Sequence, residues 1–209
     1  MHLKRMKVST KWPMARKGNK FVVRPKGELA EGIPLLVVLR DMLKIGRNRD
    51  EIKQILNSGN VEVNGKIRKG DKLPLRTFDV IKIKSLNKIY SLAFNKAGRF
   101  VIVNKDDEKK LGKIVGKKML KGGKVQISLN DGSNFIVSTD VKVGETAVID
   151  TTKGKIEKFL PIKEGSKITV ISGKHLGDEG KIKSIKENIA EIIIEDKNVN
   201  ISLDSLMAI

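Results

Sequence analysis

Apolar positions along this chain follow two rhythms. Ile33-Pro34 leads into Leu35-Leu36-Val37-Val38-Leu39, then Met42 and Leu43. The unbroken run alone fits a buried strand. Its continuation three and four positions past Leu39 favours a helix, with Pro34 in the first turn and Gly46 ending it. Asn48, followed three residues later by Glu51, has the spacing of an Asn-type capping box opening a second helix. Ile52, Ile55 and Leu56 form its inner face, and Gly59 supplies the left-handed stop. Val61-Glu62-Val63 then alternates as a strand, and Asn64-Gly65 is the strongest two-residue hairpin signal. The chain returns through Lys66 and Ile67, and another strand follows Pro74 at Val80–Ile83. Two short helices and a small sheet are predicted for 34–84.

From 85 to 160 the rhythm is that of strands. The candidates are Arg99–Val103, Lys124–Leu129, Ser133–Val137, Thr146–Asp150 and Ile156–Leu160, separated by turn signals at Gly122-Gly123, Asn130-Asp131-Gly132 and Lys153-Gly154. A small barrel or sandwich fits this spacing. Asp106–Lys110 reads as one turn of helix, and Gly/Lys-rich 112–124 approaches low complexity. After Pro161, Ile168, Val170 and Ile171 lead into Ser172-Gly173-Lys174-His175-Leu176-Gly177-Asp178-Glu179-Gly180. Alternation resumes at Ile182 and Ile185, with strands predicted at Ile192–Ile194 and Val199–Ile201. Three glycines within eight residues imply a tight loop with left-handed backbone positions.

Charge changes this picture. The 209 residues carry 43 Lys+Arg against 24 Asp+Glu, a formal net charge of +19. Residues 1–26 hold nine basic residues and no acid, whereas 161–209 hold seven basic and eight acidic. A solvated face would intersperse acids with the bases, and the front of the chain does not. Such an arm is expected to order when phosphates neutralise it. A membrane surface would require apolar anchors as well, and residues 1–20 have only Leu3, Met6, Val8, Trp12 and Met14, scattered. RNA or DNA is favoured over lipid. No stretch approaches the roughly 18–20 apolar residues of a membrane span, and no signal-peptide core leads the chain. A soluble intracellular protein is expected.

The absence of cysteine excludes thiolate zinc sites and cysteine catalysis. His2 and His175 are too few and too separated for a metal site. Gly112 and Gly116-Lys117 miss the phosphate-loop spacing by one residue and lack its Ser/Thr. Asp106-Asp107-Glu108 reads as a solvated turn. No enzyme, cofactor, metal or small-molecule substrate is expected. The sharper signal lies in 34–84: Arg40 and Lys44, then Arg49 and Lys53, are each four apart on a helix face opposite the apolar stripe. Arg47 lies in the connection, and Lys66 and Arg68 follow the hairpin. These residues are candidates to hold phosphates.

The run Gln54–Lys66 resembles the signature of the S-four-type RNA-binding domain, and Asn48-Arg49 falls where that family usually has Ser-Arg. Ile171–Ile182 resembles the KOW motif. Together with His2-Leu3-Lys4-Arg5, Trp12-Pro13, Arg16-Lys17, Phe21–Pro25 and Ile33–Leu36, this order is similar to the family of archaeal small-subunit ribosomal protein four of the eukaryotic type. The link Lys26–Gly32 is shorter than the family's, and Ile52 stands where the wider domain often has Ala. The resemblance implies an α+β, mostly β, chain. Its expected parts are a basic N-terminal extension at 1–33, an αα-plus-hairpin RNA-binding module at 34–84, a central β barrel or sandwich at 85–160 and an SH3-like KOW barrel at 161–209. It implies a structural, cytoplasmic role in the small ribosomal subunit, with ribosomal RNA and neighbouring ribosomal proteins as partners and no membrane. The rival readings are a KOW-bearing transcription regulator and an RNA-modifying enzyme, the latter short of catalytic candidates. The expected RNA contacts are Lys4, Arg5, Lys7, Trp12, Arg16, Lys17 and Arg24 in the arm, Arg40, Lys44, Arg47, Arg49, Lys53, Lys66 and Arg68 in the module, and Lys174 and His175 in the KOW loop. Whether that loop meets RNA or protein stays open at this point.

Overall fold

The computed structural model describes residues 2–27, 32–195 and 197–209, so residues 28–31 of the short link lie outside it. The chain is mostly β with few helices and divides into two compact units, the first ending at Phe94 but including Gly98–Glu108, the second formed by Asn95–Ala97 and Lys109–Ile209. Among the described residues no helix is long and apolar enough to cross a membrane.

In the first unit the basic N-terminal segment is folded, not extended. Leu3–Lys4 pairs antiparallel with Phe21–Val22. Leu3 and Trp12 are each 3% exposed, in one core with both helices and the following sheet. Of the apolar residues that look scattered along the sequence, Leu3, Val8, Trp12 and Met14 therefore serve as anchors, while Met6 stays exposed. The Trp12 indole N–H donates to the Gly32 carbonyl at 3.1 Å, which satisfies its polar atom inside the core.

Ile33–Pro34 pairs with Pro74–Leu75 and leads into a helix, Leu35–Val37, that widens into a π turn over Val38–Met42. Every side chain from Leu35 to Leu39 is fully buried. A helix apolar all round loses its periodic signature, which is why the run also fits a strand. The helix does not end on Gly46: Lys44 takes the left-handed conformation, φ 53°. Gly46 instead makes room for packing, since a Cβ there would lie 2.8 Å from Ile52 Cδ1. The larger Ile52 side chain is thus accommodated by a glycine opposite it.

The second helix spans Arg49–Asn57, with Ile52 and Leu56 buried. Asn48 holds the N-cap position, but its side chain makes no capping bond. The capping-box expectation is not met: the Glu51 carboxylate reaches past the N-cap to accept from the Arg47 N–H at 2.7 Å. Asn64 and Gly65, at φ 51° and 73°, close the two-residue hairpin between Val61–Val63 and Lys66–Ile67. The five-stranded sheet then runs in the order 66–67, 61–63, 80–83, 88–94, 100–105. The expected division after residue 84 falls inside this sheet, because left-handed Asn87 (φ 47°) turns the chain back and Ile81 pairs with Tyr90.

The second unit holds two five-stranded antiparallel sheets among its described residues. One runs 134–137, 125–129, 109–119, 146–150, 155–160, and the other 197–202, 189–194, 179–186, 167–170, 206–208. The central strand Lys109–Met119 is the main departure from the sequence reading, which placed a helical turn at 106–110 and low complexity at 112–124. Two buried lysines, Lys110 and Lys113 at 4% and 5% exposure, lie on opposite faces of the strand and break its apolar pattern on both. Lys110 Nζ bonds Asp131 Oδ2 at 2.5 Å, and Lys113 Nζ donates to the Leu203 and Asp204 carbonyls at 2.7 and 2.8 Å. Gly112 admits Leu129, whose Cδ1 would lie 2.9 Å from an added Cβ. In the last sheet Gly180 serves close approach as well: a Cβ would sit 2.5 Å from the Ile193 carbonyl oxygen.

Candidate nucleic-acid interface

The cations singled out from the sequence fall into two sets once their partners are visible. Arg40 makes a two-pronged pair with neighbouring Asp41, at 2.7 and 2.9 Å. The hydrogen bond to that carboxylate raises its pKa further against the opposing effect of burial, so Arg40 is charged but locally neutralised. Arg49 Nε bonds Asp71 Oδ2 at 2.7 Å, on the segment after the hairpin, and Lys53 bonds exposed Asp50 at 3.1 Å. Arg49 and Lys53 therefore do not act as a matched outward pair. Lys44, Arg47 and Lys66 are exposed and have no carboxylate partner among the described residues. Arg68 is partly buried, its Nε enclosed without a hydrogen bond.

The N-terminal segment divides likewise. Lys4, Lys7, Arg16 and Lys17 are exposed and Arg24 partly so. Arg5 is a structural residue first: its guanidinium donates to the carbonyls of Ala15 at 2.6 Å and Asn19 at 2.8 Å, which folds the 15–19 loop over it. Trp12, expected as an exposed aromatic on the RNA, lies in the core and offers no open ring face for stacking. Its burial follows from the folded path of the arm.

Gly173 and Gly177 adopt φ 90° and 89°, as the glycine spacing implies. Lys174 is exposed at that loop, while His175 Nδ1 lies 3.2 Å from Asp178 Oδ2 and braces the turn.

One cationic feature escaped the sequence reading. The turn joining Lys109–Met119 to Val125–Leu129 exposes Lys118, Lys121 and Lys124 around left-handed Gly122 and Gly123 (φ 79° and 70°). Lys117 beside it bonds Asp140 and holds that carboxyl below its usual range. The Lys/Gly density of 112–124 was the available signal. Among the described residues no group of three or more His, Cys, Asp or Glu is placed to hold a metal ion.

Comparison with known proteins supplies an independent line. Residues 86–156 match the model of the ribosomal family S4e. The small ribosomal subunit protein eS4 of Methanocella arvoryzae is 41% identical over 189 residues, covering 88% of this chain and 81% of the relative. That of Methanocaldococcus jannaschii is 35% identical over 198 residues, with coverage of 88% and 81%. The crystal structure of the 30S ribosomal protein S4e from Thermoplasma acidophilum is similar with a TM-score of 0.72 at 26% identity, covering 86% of this chain and 95% of that one.

Proposed function

The chain belongs to the ribosomal S4e family, and we propose on that footing that it is a structural, non-enzymatic constituent of the cytoplasmic small ribosomal subunit, bound to ribosomal RNA. The observation that carries this is identity of 35–41% sustained over most of both chains with relatives named as small-subunit proteins. The transcription-regulator reading is not favoured, since it rests on the KOW resemblance alone.

In this reading the folded basic segment and the helix-hairpin unit meet the RNA backbone. Lys4, Lys7, Arg16, Lys17, Lys44, Arg47 and Lys66 supply charge, and recognition is mostly of RNA shape. Arg24, Arg40, Arg49, Lys53 and Arg68 contribute at the margin. The helix pair followed by the Asn64-Gly65 hairpin supports assigning an S-four-type RNA-binding module to this region. The antiparallel sheet over 167–208, with its Gly173–Gly177 loop, supports a KOW unit of the SH3-like kind. Lys174 is its candidate RNA contact, and neighbouring ribosomal proteins are its candidate partners elsewhere.

Sucrose-gradient fractionation of the tagged chain tests the proposal. It should sediment stoichiometrically with small subunits and crosslink to their RNA. Recovery mainly with RNA polymerase, or free of ribosomes, would overturn it.

A further inference from the structure

The folded N-terminal segment encloses a cavity of about 270 Å³ between its own turns and Arg99. Met6, Val8, Met14 and the buried Trp12 form its apolar lining, and Arg16 and Arg99 also lie on it, with no acid among the described lining residues. Its third cation, Arg5, is held in place by the Ala15 and Asn19 carbonyls. Gly18 permits this: a Cβ there would lie 3.1 Å from the Arg5 Cζ.

We propose that this cavity receives one unstacked nucleobase from the RNA strand whose phosphates the segment's cations neutralise, a reading that rests on the RNA-binding function above. Three features argue for this occupant. The charged residues of the described lining are cationic and lie mostly in a segment of nine basic residues and no acid, which suits a ligand that carries negative charge beside the buried part. The volume lies just below the roughly 300 Å³ at which pockets for drug-sized ligands begin, which suits a single flat ring system. Thioether and aliphatic walls with a fixed guanidinium on the lining suit bases of any identity, and splayed single-stranded bases are what RNA-binding proteins grip in RNA. The Ser9 and Thr10 hydroxyls on the lining can meet the polar edge of the base.

The test uses the full chain and small-subunit ribosomal RNA substituted with 4-thiouridine. Irradiation should join one nucleotide to the peptide containing Met6–Arg16. Replacing that nucleotide by an abasic one should weaken binding about 10-fold, within the range that base stacking on side chains provides, and leave the salt dependence unchanged. Ala15→Leu, an uncharged change at an exposed lining residue, should reproduce the loss and make the abasic change nearly silent. Salt-dependent binding with no adduct in this peptide, or an abasic nucleotide that binds as well as the intact one, would overturn the base pocket and leave the RNA reading standing. Loss of all salt-dependent RNA binding would overturn the RNA reading itself.

Discussion

Folding decides which cations remain available to RNA, and that has a measurable consequence. Lys44, Arg47 and Lys66 are exposed without a carboxylate partner among the described residues, whereas Arg40, Arg49 and Lys53 are bonded to Asp41, Asp71 and Asp50. Each phosphate contact contributes about 0.7–0.9 to the slope of log affinity against log salt. Replacing Lys44, Arg47 and Lys66 together by Ala removes three such contacts and should flatten the slope by about 2.1–2.7. Over a fourfold salt change, from 50 to 200 mM, this amounts to a change of about 20–40-fold in the ratio of affinities. Replacing Arg40, Arg49 and Lys53 removes the same formal charge but also leaves three carboxylates uncompensated near the surface. That set should weaken binding through repulsion and loosened anchoring, with the slope flattened by less than one contact's worth. Filter binding of the full chain to small-subunit ribosomal RNA at four salt concentrations, with circular dichroism to confirm folding, reads both slopes. Equal flattening by the two triples would refute the partition, because the ion pairs would then be open to exchange for phosphates.

Three further outcomes follow from the packing. Trp12→Ala should cost about 3–5 kcal/mol, as for other large core truncations, and expose residues 2–27 to limited proteolysis; an unchanged urea midpoint would mean the segment is not anchored. Lys110→Met should cost about 3–5 kcal/mol at neutral pH, because it strands the Asp131 carboxylate in a nearly closed site. Burial pushes the Asp131 pKa up, but the Lys110 charge and hydrogen bond, with those from Ser133, outweigh it and hold the pKa below the ordinary value. The stabilisation is therefore complete above the usual carboxylate range near pH 4 and is lost as pH falls through the depressed folded value. Urea titrations should accordingly show the Lys110→Met deficit shrinking below that range, and a deficit independent of pH would count against the pair. Gly180→Ala should destabilise the C-terminal sheet, since its Cβ would meet the Ile193 carbonyl at 2.5 Å. Hydrogen exchange should then accelerate across 167–208, and exchange at the native rate would show that the strands can part there at no cost.

The helix-hairpin region was legible because its signals are local. Asn64-Gly65 dictates its own turn, and Ile52 with Leu56 marks one helix face within five residues. The path of the N-terminal segment was not, because the same Trp12 suits an exposed platform or a core anchor, and only its distant partners decide between them. Its indole meets a carbonyl 20 residues away. The strand Lys109–Met119 was hidden for a different reason. Lys110 and Lys113 occupy buried positions on opposite faces, where a periodic reading finds no apolar stripe, and Gly112 weakens strand propensity while serving close packing.

The candidate interface shows the same limit on the electrostatic side. Counting acids within four residues finds Asp41 beside Arg40 and Asp50 beside Lys53, but Asp71 lies 22 residues from Arg49 and Asp140 lies 23 from Lys117. Lys113 goes further, since its ammonium is spent on the Leu203 and Asp204 carbonyls and burial lowers its pKa despite the opposing charge of Asp204. A lysine so placed holds the 3-10 turn at 203–205 against the central strand and contributes little field to a polyanion outside. The formal charge of +19 is therefore an upper bound on what RNA encounters. The folded chain divides its cations between two tasks: those bonded to carboxylates and carbonyls fix the fold, and those left at the surface await phosphates.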